Sequence, residues 1–256
     1  MKQIFSAVFE SVWKRKETKI FLAFSLYPVI YFISSFFGGS NFMQIGSDAG
    51  VKVGYIDFAD MMLNSMDMMI LPTLALYFLT ISVFKRETED HTMFLYKDIN
   101  KKDIFLSKYF SLIVILAIYF VLFFVSSLLV HYGRVVNMDF GTAQFTSDSL
   151  YYTLLELSTI FTVFLKGVVS ISIATLVSLR FGTGATMTTA IIFTITMLVI
   201  AIVGGPIATL FPIGYKQFTE TVSDMWIGFT GPTLVTVLYT IICNTFSLRK
   251  FKNLEF

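Results

Sequence analysis

The chain has 256 residues, of which 55% are hydrophobic, 17% aromatic and 14% charged, with a formal net charge of +2. A soluble domain carries about 25% charged residues, so the composition excludes an ordinary water-soluble fold, and the small net charge points to no nucleic-acid partner. Six apolar stretches, 20–37, 66–84, 110–130, 150–179, 185–203 and 226–248, are each near or above the ~20 residues that cross a bilayer core. The expected fold class is all-α, a membrane protein of six transmembrane helices in a single transmembrane domain.

Lysine and arginine set the expected orientation. The N-terminal segment, the loop after span 2, the turn at Arg180 and the tail hold 15 of the 19; Lys52, Arg134 and Lys216 fall in the alternate loops and Lys166 inside a span. By the positive-inside rule both termini are cytoplasmic in a cell (plasma) membrane. Six crossings agree with that, since an even number returns the chain to its starting side. A cleavable signal peptide is not expected, because the 19 residues before the first span are amphipathic. Cys243 is the only cysteine, so no intrachain disulfide forms, and His91 and His131 fall on opposite sides of the membrane, against a shared metal.

Within residues 1–19, Ile4, Phe5, Val8, Phe9, Val12 and Trp13 recur on one helical face, which predicts an amphipathic helix lying flat in the membrane interface; the competing reading packs it on protein. Span 1 carries Pro28, and Gly38-Gly39-Ser40-Asn41 ends it before an outer loop of about two dozen residues. Span 2 opens with Met61, Met62, Met66, Met68 and Met69 around Asp67. As one continuous helix it places Asp67 about 25 Å from Phe84, near the outer boundary. Residues 85–108 form the only long charged interior segment and read as water-facing. Within it Met93, Phe94 and Leu95 make an apolar knot suited to a short helix docked on a partner.

Residues 134–149 are a short polar outer loop. Span 4 is about 45 Å long if wholly helical, and Thr159, Thr162, Lys166 and Ser170 share one of its faces. A lysine near a helix centre costs about 2.5–3.5 kcal/mol to insert and marks a functional position by default. Snorkelling or a structural ion pair is favoured here over cargo contact, and Glu156, ten residues away, is too far to pair. Asp67 with Thr162, Lys166 and Ser170 is the intramembrane polar set that could line a substrate path. Gly204-Gly205-Pro206 and Pro212-Ile213-Gly214 break span 5, so residues 204–225 read as an outer re-entrant hairpin, or else an ordinary outer loop. Nine acidic residues against three basic ones on the outer side favour cationic cargo, unless the excess only reflects where lysine and arginine are excluded.

The chain contains no G-x-x-x-x-G-K-[ST], H-E-x-x-H or G-x-S-x-G pattern, so nothing suggests a nucleotidase, metalloprotease or serine hydrolase. After span 2, Glu87-Thr88-Glu89, Thr92, Leu95, Asp98-Ile99, Lys102, Ile104 and Lys108 resemble the motif that follows the second span in permeases of the ABC-2-type transporter family. His91 stands where that family usually has glycine, and Asp98 where proline is common.

The resemblance implies a non-catalytic permease that pairs with a second, identical or different, permease subunit in lipid. Cytoplasmic ABC ATPase subunits would bind ATP and Mg, and this chain would need no cofactor or metal of its own. Glu87, Glu89, His91, Thr92, Phe94 and Leu95 would form the ATPase-coupling helix within 85–108. The implied cargo is a small peptide, a drug or a lipid-like molecule leaving a bacterial cell, with resistance or immunity to an antimicrobial peptide as one use. Two other classes compete. One is an ATP-independent channel or secondary transporter, which needs a mid-membrane carboxylate that the linear placement of Asp67 does not supply; the other is a toxin-binding membrane immunity protein.

Overall fold

The computed structural model describes residues 2–36, 52–86, 100–147 and 149–253. Among these the chain has no strand, only an isolated bridge between Val53 and Gly141. Helix α1 (Lys2–Trp13) is followed by α2 (Lys16–Ala23), a 3₁₀ turn at Phe24–Leu26 and α3 (Tyr27–Ser34). Then come α4 (Tyr55–Met68), α5 (Ile70–Ile81) with a π turn at Ser82–Arg86, α6 (Lys101–Gly133), α7 (Leu150–Arg180), α8 (Thr183–Val203) and α9 (Met225–Lys252). Five helical units are long and apolar enough to cross a membrane, six if the bent pair α4–α5 counts as one. Ile192, Ile202 and Val203 on α8 and Leu234, Leu238 and Ile241 on α9 are exposed, an outward apolar surface that suits lipid and not water.

Local chemistry sets the helix ends. Asn100 caps α6 by accepting from the Lys102 amide at 3.0 Å, and Ser149 caps α7 by accepting from that of Tyr151 at 3.3 Å. Arg249, Lys250 and Lys252 occupy the last turn of α9, where cations complement the helix dipole. Helix α8 stops at Gly204 and Gly205, with φ of +66° and +81°, followed by Pro206.

Helix α7 is the hub, packing on α4, α5, α6, α8 and α9. Span 2 is not the single helix expected: α4 and α5 meet at 69° around Met69. Pro72 explains the break, because it has no N–H for the Met68 carbonyl one turn back and its ring crowds that turn. Helix α4 begins at Tyr55, so the Met61–Met69 cluster belongs to a helix on the far side of the break. The apolar stripe of α1 also divides. Val8 and Val12 are buried as α1 packs against α6, whereas Phe5, Phe9 and Trp13 form a stacked ladder with centroids 6.0 Å apart and Trp13 is exposed.

The four basic segments come together at one end. Arg15 donates to the Ser82 carbonyl at 2.6 Å, Lys85 to that of Phe181 at 3.0 Å, and Lys101 to that of Lys252 at 3.1 Å. At the opposite end Val53 donates to the Phe140 carbonyl at 2.8 Å and accepts from Thr142 at 3.1 Å, joining the two polar loops. The segment read as a hairpin is a run of 3₁₀ turns, Pro206–Leu210, Pro212–Phe218 and Val222–Asp224. The Gln217 amide closes it by pairing both ways with Gly205, at 2.8 and 3.1 Å, and the Tyr151 hydroxyl holds it by donating to the Thr219 carbonyl at 2.9 Å.

The hairpin lies directly on α9. A Cβ on Gly231 would stand 2.1 Å from Cδ1 of Tyr215. Gly231→Ala is therefore expected to destabilise the bundle by about 1–3 kcal/mol through overpacking, and Tyr215→Ala in the same background to return much of it; thermal unfolding in detergent compares the two.

Candidate functional site

The middle of α7 holds the chain's one intramembrane lysine. Lys166 lies 16 residues past Leu150 and 14 before Arg180, and its Nζ donates to both carboxylate oxygens of Asp67, at 2.7 and 2.8 Å. The Lys166 side chain is 4% exposed and that of Asp67 17%, so the lysine is buried and the ion pair as a whole part-buried. Its presence decides between the alternatives for Lys166: the ammonium does not snorkel but is paired. Asp67 stands in the last turn of α4, just before the 69° bend, and meets α7 at its midpoint.

Beside the pair is a cavity of about 50 Å³, several times the ~10–15 Å³ that one water requires. Asp67, Lys166, Thr73 and Ser170 supply its polar atoms, and Phe21, Tyr119 and Phe120 are among its apolar walls. Phe21 and Tyr119 stack with centroids 4.7 Å apart. Of the polar residues singled out from the sequence, Asp67, Lys166 and Ser170 meet here. Thr162 is buried one turn before Lys166 and is not part of the lining. Thr73 and Pro72 escaped the sequence reading; the visible signal was a proline four residues after Met68 in a run that otherwise reads as one span.

A second polar cluster ties the opposite end together. Asp57, in the first turn of α4, accepts from the Gly54 amide at 2.7 Å. Ser147 Oγ is hydrogen-bonded to Asp57 Oδ1 and lies 2.7 Å from Glu156 Oε2. A serine has one hydroxyl hydrogen and cannot satisfy two carboxylates, so the cluster closes when one carboxyl carries a proton. This is where Glu156 finds its partners, far from Lys166. Glu156→Gln supplies a donor in place of that proton and is expected to leave stability within ~1 kcal/mol of the parent, whereas Ser147→Ala removes the hydroxyl that both acids share and is expected to cost about 1–3 kcal/mol; urea titration in micelles distinguishes them.

At the end that gathers the basic segments, Phe84, Phe105 and Phe251 form a fully buried aromatic knot with centroids 5.4, 5.7 and 6.4 Å apart. Lys108 is buried under it, with Nζ 3.0 Å from the Val83 carbonyl and 5.8 Å from the Phe84 and Phe251 rings. The expectation that all of 85–108 faces water is thereby corrected. Helix α6 begins at Lys101, and its period brings Ile104, Phe105 and Lys108 onto one buried face. The ammonium supplies a donor to a π turn, where the regular i→i−4 pattern is interrupted. The anchored base emits residues 87–99. Glu87, Glu89, His91, Thr92, Phe94 and Leu95 all fall there, outside the described residues.

No group of three or more histidine, cysteine or acidic side chains suited to a metal occurs among the described residues. No family model, curated protein or solved structure matches the chain.

Proposed function

We propose that the chain is the membrane-spanning, non-hydrolytic subunit of an ATP-driven exporter of the ABC-2 kind. It would work in the cell membrane with its termini in the cytoplasm, paired with a second permease subunit and driven by ATPase subunits that hold ATP and Mg. The observation that carries this reading is the aromatic base beneath residues 87–99. Both arms of that segment, the end of α5 and the start of α6, are locked by the Phe84–Phe105–Phe251 knot and Lys108 and tied to α2 through Arg15. A push on a segment mounted this way is transmitted to α5 and α6 together. A loop that merely connected two spans would need no such base. Phe94 and Leu95 supply an apolar tip for a motor's groove, and Glu87 and Glu89 the charges that orient it.

The cargo that fits a cluster of apolar spans with an acid-rich outer end is a small peptide, drug or lipid-like molecule. A second reading, an ion-coupled carrier, is favoured by one observation, the Asp67 carboxylate paired with Lys166 beside a cavity. Purification from native membranes in mild detergent separates the two. The exporter reading expects a nucleotide-hydrolysing subunit to co-purify and Leu95→Asp to release it. Transport that proceeds with no such subunit bound overturns the exporter reading.

A further inference from the structure

The Asp67–Lys166 pair is poorly explained as a source of stability. Desolvating two charges offsets most of their attraction, and a buried pair replaced by apolar residues of similar size is often no less stable. What distinguishes the place is the concentration of negative potential at the break. Asp67 is in the last turn of α4, a 14-residue helix whose C-terminal end is the negative end of its dipole. Acids are normally favoured at the other end. Pro72 in addition has no N–H to give the Met68 carbonyl. A carboxylate, a helix C-terminus and a proline-disrupted turn at one point make a setting in which a cation is required, and discontinuous membrane helices coordinate small cations with such ends.

Asp67 and Lys166 both line the cavity, and Asp67 is the more exposed partner, 17% against 4% for Lys166, so the carboxylate is the more accessible of the two. Thr73 and Ser170 add hydroxyl groups to the lining, which the stacked Phe21 and Tyr119 rings complete. A volume of about 50 Å³ has room for a small ion with a few waters.

We propose that the α4–α5 break is a small monovalent-cation site whose resident ion is the Lys166 ammonium, and that an inorganic cation competes with Lys166 for Asp67. Occupation by the external ion frees Lys166 and unties the middle of α7 from the break, which makes the α4–α5 hinge responsive to the ion. This rests on neither functional reading above, since it concerns only the bundle's own residues.

The test uses the purified full-length protein in detergent, with sodium chloride as the probe against N-methyl-D-glucamine chloride at equal ionic strength. Lys166→Met removes the tethered competitor and is expected to show a saturable sodium-dependent rise in Tm of several degrees, while the Asp67→Asn/Lys166→Met double variant shows none. Wild type should need at least ~10-fold more sodium for the same shift, because a bound ligand stabilises according to its concentration relative to its effective Kd. Lys166→Gln is the second variant. If the single variants are monodisperse only in sodium, that rescue is itself the predicted response. Equal sodium responses in Lys166→Met and the double variant, or single variants that fail to fold in both media, overturn the proposal.

Discussion

Lys166→Met is expected to destabilise the bundle by about 3–5 kcal/mol in sodium-free medium, and Asp67→Asn in the same background to recover most of the loss. The asymmetry follows from burial. Removing one member of the pair leaves the other charge in a low-dielectric site with no counterion, whereas removing both leaves a neutral amide and a thioether beside a cavity large enough for water. Thermal or denaturant unfolding of the wild type, both single variants and the double variant in one detergent gives the four corners of a double-mutant cycle. The cycle should yield a coupling of several kcal/mol. Additive single losses would show that the two side chains are not held together in the folded protein.

The second large effect concerns the segment carried by the aromatic base. Leu95→Asp places a charge where the exporter reading puts an apolar contact, and is expected to weaken motor binding by about 2–4 kcal/mol, roughly 30- to 1000-fold in affinity. On that reading transport should fall with it, while the folded chain keeps its Tm, because residue 95 is not among the Phe84, Phe105 and Phe251 side chains of the buried knot. Phe105→Ala should behave differently. It opens a cavity in the base, costs about 3–5 kcal/mol of stability, and loosens the mount as well as the fold. Comparing the two variants separates loss of a docking contact from loss of the lever's support.

Much of the bundle could be read from composition, because apolar runs of sufficient length have few alternatives to a membrane helix. The convergence of the N-terminal segment, residues 82–86 and 100–101, the Arg180 turn and the tail at one end follows the same logic of lysine and arginine placement. The break in span 2 was obscured because the Met-rich end of α4 runs directly into the apolar start of α5, with Pro72 the one helix breaker at the junction. The partner of Lys166 was hidden for a different reason. Asp67 is 99 residues away in sequence, and no periodicity within one helix encodes which residue another helix will present. Lys108 was assigned to water because its neighbours in sequence are charged; its place in the three-dimensional period of α6, one turn after Ile104 and Phe105, buries it. The Asp57–Ser147–Glu156 cluster joins a helix start, a loop and a second helix, and each residue alone reads as ordinary surface polarity.

The exporter reading depends most on whether a motor subunit binds residues 87–99. A photo-crosslinking amino acid at position 95, activated in native membranes, should form an adduct with a nucleotide-hydrolysing protein, and the yield should change when that protein is trapped with ATP. Absence of any such adduct at positions 94 and 95 in membranes that still transport would contradict it.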